Sequence, residues 1–191
     1  MDQRMRPTVS IIELYNADRS ERQNHPKLGT AEYKALRTCD QERRDAARQL
    51  LAAGALQTGI EFFYAAWIFN HGDTPDDAWQ AHALAMKAAE AGHRPARWLA
   101  AASHDRWCMY RGQPQKYGTQ YVSDGFRQRL WDVVPETTDQ ERADWDVPPL
   151  AEQVRKAEEA TRKDPEPPRI THDAPQWLKD ALHRWGVPLS D

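Results

Sequence analysis

His71, His82 and Asp105 are the side chains whose type and setting best suit proton transfer. Trp98, Ala102, Asp105 and Met109 follow i, i+4, i+7, i+11, so a helix here sets the Asp105 carboxylate on an otherwise apolar face. A carboxylate removed from water needs partners, so Asp105 is expected to meet a cation such as Arg44 or Arg106, or a set of donors. His82 lies among Ala78, Trp79, Ala85 and Ala89, again a polar group on an apolar face, and His71 ends an apolar helix. If these three groups converge, an aspartate orienting a histidine forms a general acid or base suited to neutral pH. The plainer alternative is a satisfied core histidine beside a structural ion pair.

The least ordinary stretch is Gly112-Gln113-Pro114-Gln115-Lys116-Tyr117-Gly118-Thr119-Gln120. Two glycines and a proline fix its path, and it carries amides, a hydroxyl and a phenol. Gln115, Tyr117, Thr119 and Gln120 are therefore expected to position a polar ligand, with Arg44 or Arg106 clamping an anionic group. The competing expectation is a connector whose amide side chains cap neighbouring helices. Cys108 sits on an apolar helix face, where an inert buried thiol is the commoner outcome than a nucleophile. His71 with His104-Asp105 also invites comparison with the metal-dependent HD phosphohydrolases. None of Asp124, Asp132 and Asp139 stands out as their further aspartate, so this is the lesser reading. The expected metal set is empty, and no redox cofactor is expected, because no phosphate loop, dinucleotide fingerprint or serine-nucleophile motif is visible.

The elements that must position these groups are mainly helical. A weak pattern over 8–22 groups Ile11, Ile12, Leu14 and Tyr15. Thr30 suits an N-cap for a helix from Ala31 to about Ala53, and Asp40, Arg43 and Arg44 share one of its faces. Residues 58–70 are apolar nearly all round, the mark of a buried helix. Thr74-Pro75-Asp76-Asp77 opens the next helix and Gly92 closes it; another runs from about Arg94 to Arg111. Ser123-Asp124-Gly125 predicts a small β-hairpin near 119–133. Thr138 with Glu141 resembles a capping box, a charged helix spans about 149–163, and Trp177, Leu178, Leu182 and Trp185 dock a last short one. The expected fold is mainly α: antiparallel hairpins and a bundle. The expected division is an N-terminal arm 1–29, a helical core 30–147 and C-terminal helices with a Pro-rich linker 148–191.

Composition bounds the function classes. With 191 residues, 40% of them hydrophobic and 29% charged, the chain can bury a core and keep a solvated surface. Its 26 basic and 29 acidic residues are interspersed, giving a net charge of −3 and no concentrated positive field, which argues against nucleic-acid binding. The longest apolar run, 62–69, is far short of the ~20 residues a membrane helix needs. Two cysteines make no disulfide framework, and a reducing cytoplasm is the expected location.

The central part, with Ala66-Trp67-Ile68-Phe69, Ala81, Ala85 and Ala88-Ala89-Glu90-Ala91-Gly92, is similar to one Sel1 or tetratricopeptide-type helical hairpin. More broadly, the chain resembles a family of uncharacterised bacterial proteins. The resemblance rests on Asp40 with Arg43-Arg44, Ala65-Ala66-Trp67-Ile68-Phe69-Asn70-His71-Gly72, Asp105-Arg106 and the Gly112 to Gln120 stretch. It covers about 18–147 and implies that these positions work together; the family brings no established reaction. The leading expectation is a small helical enzyme acting on a polar small molecule or peptide by hydrolysis, elimination or cyclisation. His82 would move the proton, and Asp105 would orient it or act as the base. The alternative is a non-catalytic Sel1-like module that binds a peptide or protein.

Overall fold

A computed structural model describes residues 9–27, 29–165 and 167–190. Of the expected N-terminal arm, residues 1–8 and 28 lie outside the described residues. By its contacts the chain forms two compact units, one up to Ala100 and one from Ala101. That division lies within a helix.

In the first unit, α1 (Ile11–Glu21) starts at Ser10, whose hydroxyl and the Glu13 carboxylate form a reciprocal capping box. Its buried residues Ile11, Leu14 and Asp18 lie at i, i+3, i+7, so one stripe begins apolar and ends in a carboxylate. A 3-10 turn, Arg22–Asn24, follows. Thr30 caps α2 (Ala31–Ala52), whose buried face runs Leu36, Asp40, Arg43, Arg44, Ala47, Leu50, charged in the middle and apolar at both ends. Thr58 and Glu61 form the capping box of α3 (Gly59–Asn70), which buries Phe62, Phe63, Ala65, Ala66, Ile68 and Phe69. Thr74 caps α4 (Pro75–Glu90), with Pro75 in the first turn and Asp76 and Asp77 at the positive end of the helix.

α3 and α4 pack together extensively as a helical hairpin. Ala78, Ala81, Ala85 and Ala88 are all buried on α4, and small side chains let the two backbones approach. At Gly59 the approach is close enough that an added Cβ would stand 3.0 Å from the Ala91 Cβ and 3.3 Å from the Ala88 carbonyl. This antiparallel pair is part of a mainly α-helical bundle.

α5 (Ala96–Tyr110) carries the division between the units. In the second unit, β1 (Tyr121–Ser123) pairs antiparallel with β2 (Gln128–Leu130), Ser123 opposite Gln128. Asp124 makes the turn: its Oδ1 accepts from the N–H groups of Phe126 and Arg127, and Gly125 takes the left-handed conformation (φ 85°). α6 (Asp139–Asp144) begins at the expected Thr138/Glu141 capping box. α7 (Leu150–Lys163) packs on β2, and Thr161 Oγ1 both accepts from Gln128 N–H and donates to its carbonyl. α8 (Gln176–Arg184) docks through buried Leu178, Ala181 and Leu182. Beside it, Trp177 and Trp185 meet Trp131 edge-on with centroids 5.6 and 5.3 Å away. The mainly helical fold with one small hairpin is thus as expected, and no helix of the described residues is long and apolar enough to cross a membrane.

Candidate functional site

The aspartate that holds a histidine in the first unit is Asp18, which the sequence reading did not single out. Asp18 ends the buried stripe of α1 and is 1% exposed. Its Oδ1 lies 3.1 Å from His71 Nδ1, at the C-terminus of α3, and its Oδ2 accepts from Trp67 Nε1 at 2.9 Å. Because a carboxylate only accepts, Nδ1 carries a proton in this contact. Burial alone would raise the Asp18 carboxyl; the hydrogen bond and charge of His71, then Arg22 and Trp67, outweigh it and hold the carboxyl below its ordinary value. The His71 side chain is 18% exposed, so a buried carboxylate stands behind a partly exposed imidazole.

An ionic shell fixes this pair. Arg22 reaches Asp18 with Nη1 and both oxygens of Asp40 with Nη2, at 2.9 Å each. Asp40, 2% exposed, also accepts from Arg37 at 2.7 Å and Arg43 at 2.9 Å. Arg37 Nη2 donates to the His71 carbonyl at 2.9 Å and pairs with Asp73. Burial would lower the Arg43 guanidinium; bonds to Glu21 and Asp40 and the charges of Glu21 and Asp18 raise it instead. Arg44, 2% exposed, donates to Gln41 Oε1 at 2.7 Å and to the His71 carbonyl at 3.3 Å, with Asp77 3.6 Å from its Nε. Each of these arginines faces a carboxylate of the same unit. Arg44 thus braces the end of α3 at His71 from a buried position.

His82 lies on α4 of this unit, where its Nδ1 approaches the Ala100 carbonyl at 2.9 Å and its ring packs on Trp79 at 5.1 Å.

The second unit holds Asp105, which meets a set of donors, one of the two kinds of partner its burial requires. Asp105 is fully buried. Its carboxylate accepts from the backbone N–H groups of Lys116 (2.8 Å), Tyr117 (3.0 and 3.1 Å) and Thr119 (3.1 Å) and from the Thr119 hydroxyl (2.8 Å). The Gly112 to Gln120 stretch thus folds around a carboxylate. Its amide side chains turn inward: Gln115 Nε2 donates to the carbonyls of Gln120 and Trp131, and Gln115 Oε1 accepts from Gln120 N–H. Gln120 Nε2 donates to the Ala102 carbonyl and to Thr119 Oγ1. Tyr117 is buried against Ala101 and Val147, and burial, then Asp105 and Glu141, push its phenol up to about 12. Hence the side chains of Gln115, Thr119 and Gln120 hydrogen-bond to Asp105, to one another and to the unit's own backbone. Arg106, beside Asp105 in sequence, has a buried Nε with no hydrogen-bond partner.

His104 completes this unit's titratable cluster. Its Nδ1 stands 3.8 Å from Asp105 Oδ1, an electrostatic contact, and 3.9 Å from Cys108 Sγ. Asp105 first, then Cys108, against burial, raise the imidazole to about 9. Among the described residues, no three or more His, Cys, Asp or Glu side chains are grouped to hold a metal ion. The HD-type reading thus gains no ligand set.

Compared with models of protein families, with curated proteins and with solved structures, the chain matches none.

Proposed function

We propose that the chain is a small helical enzyme that acts on a polar small molecule or a peptide by acid–base chemistry. His71 is its proton-transfer group, and Asp18 is the carboxylate that positions it. The carrying observation is the 3.1 Å contact between buried Asp18 and the partly exposed ring of His71. A carboxylate on Nδ1 fixes the tautomer and stabilises the imidazolium formed when Nε2 takes a proton. Hydrolysis, elimination and cyclisation all use that step. Asp105 is excluded as the base in this reading, because three amides and a hydroxyl already occupy its oxygens. The proposed kinship with the uncharacterised bacterial family supports the choice: Asp40, Arg44 and His71, which carry part of the resemblance, all belong to this cluster. We place its action in the cytoplasm.

A second reading is the non-catalytic module built on a Sel1-like or tetratricopeptide-like pair. The close α3–α4 hairpin favours it, as do Trp79 and Trp98, which are 47% and 40% exposed.

The test is turnover. Purified full chain is incubated with mixtures of polar metabolites and short peptides, and consumption is followed by mass spectrometry. Wild type is expected to consume at least one compound, His71→Gln to lose ~100-fold or more of that rate, and His82→Gln to keep it. Equal turnover by His71→Gln, or no turnover of any compound, overturns the enzyme reading; the latter favours the module.

A further inference from the structure

The second unit contains a reactive-group cluster that the acid–base proposal does not use. His104 and Cys108 are one helical turn apart on α5, with Sγ 3.9 Å from Nδ1. Both line a pocket of about 340 Å³ whose wall also carries Lys116, Glu136 and Glu141. We propose that Cys108 is a nucleophilic thiol paired with His104, and that this pocket takes a small zwitterionic disulfide of the amino-acid or short-peptide class, with which Cys108 forms a mixed disulfide.

Three features carry this. The first is the pair itself: His104 Nδ1 lies 3.9 Å from Cys108 Sγ, and an imidazolium beside a thiol is the setting in which cysteine acts as a nucleophile. Asp105 stands behind His104 at 3.8 Å and favours its charged state. The second is the charge pattern. Lys116 Nζ lies 3.6 Å from Glu141 Oε1 and 5.3 Å from the centre of the Tyr117 ring. Glu141 also accepts from Thr138 at the start of α6. His104, Lys116, Glu136 and Glu141 thus line one small volume, and this mixture of basic and acidic residues suits a ligand bearing both a carboxylate and an ammonium group. The third is size: 340 Å³ is at the small end of ligand pockets, which run ~300–1,000 Å³.

The exchange balances without a further oxidant. Cys108 thiolate attacks one sulfur of the small disulfide, a Cys108–S bond forms and the original S–S bond breaks. The departing thiolate takes the proton of the His104 imidazolium and leaves as a free thiol. Cys108 is oxidised, and half of the small disulfide is reduced.

Cys39 is an internal control. It is more exposed than Cys108, so exposure alone makes it react first. Full-length protein at pH 7 is treated separately with cystine, cystamine and dithiodiglycolate, and adducts are located by intact mass and peptide mapping. Cys108 is expected to take up half-cystine before Cys39, about tenfold faster in wild type than in His104→Gln. Cystine is expected to outpace the purely cationic and purely anionic disulfides. Lys116→Gln supplies an independent readout, since it should lower the cystine-to-cystamine rate ratio without changing alkylation by neutral iodoacetamide. Adducts forming first at Cys39, Cys108 left unmodified, or rates and ratios unchanged in both variants overturn the proposal.

Discussion

Thr119 holds Asp105 twice, its backbone N–H at 3.1 Å and its hydroxyl at 2.8 Å from the same Oδ2. With the amides of Lys116 and Tyr117 on Oδ1, the carboxylate acts as the nucleus on which the loop closes. Asp105→Asn replaces one acceptor oxygen by an NH2 group that faces donors. A loss of about 3 kcal/mol is expected in urea unfolding, because buried donors to a charged group are left unmatched. A loss below about 1 kcal/mol would contradict this role.

Gln115 is the loop's second fastening. In Gln115→Leu the Gln120 N–H and the Trp131 carbonyl lose their partner, while the Gln120 carbonyl keeps the Trp131 N–H at 3.1 Å. Stability is expected to fall by about 2 kcal/mol, and hydrogen exchange at the Gln120 amide to accelerate selectively. Unchanged exchange there would show the bond to be dispensable.

Gly72 lies where α4 begins, and a Cβ added to it would stand 2.2 Å from Asp77 Cβ. Neither atom is the end of a flexible side chain, so Gly72→Ala must move Asp77 away from Arg48 (2.6 Å) and from the Thr74 hydroxyl (2.9 Å). The expected cost is about 1–3 kcal/mol, read as a lower urea midpoint. A variant as stable as wild type would mean that the helix start shifts freely.

Acid should release α1. The Asp18 carboxyl is held below its ordinary value in the folded protein, so its contribution is complete above the unfolded value near ~3.9. It is lost as pH falls from there through the lower folded value. Wild type is therefore expected to be more stable than Asp18→Asn at pH 7, and the gap between their urea midpoints to close as pH is taken towards 3. A gap that stays constant or widens in acid contradicts the assignment.

Helix positions were readable because capping residues and apolar periodicity are local signals. Thr30, Thr74 and Thr138 each cap where their sequence implies, and the Asp124-Gly125 turn makes the hairpin. The burial of Asp105 was readable too, since a charge on an apolar stripe must face inward. Most of its partners were not: apart from the Thr119 hydroxyl they are backbone N–H groups 11 to 14 residues further on, and backbone donors leave no mark on residue type. Asp18 could have been found by the same rule as Asp105, because Ile11, Leu14 and Asp18 share one face of α1. Its link to His71 spans 53 residues and depends on how α1 lies against α3, which periodicity does not encode.

The most direct test of the central claim is the ring-nitrogen spectrum of His71, recorded by NMR at neutral pH on histidine-labelled wild type and Asp18→Asn. If Asp18 positions the imidazole, Nδ1 of wild type carries the proton in a strong hydrogen bond, and that signature changes in Asp18→Asn while the other histidines keep theirs. A His71 ring protonated on Nε2 alone, or a spectrum that Asp18→Asn leaves untouched, would contradict the account.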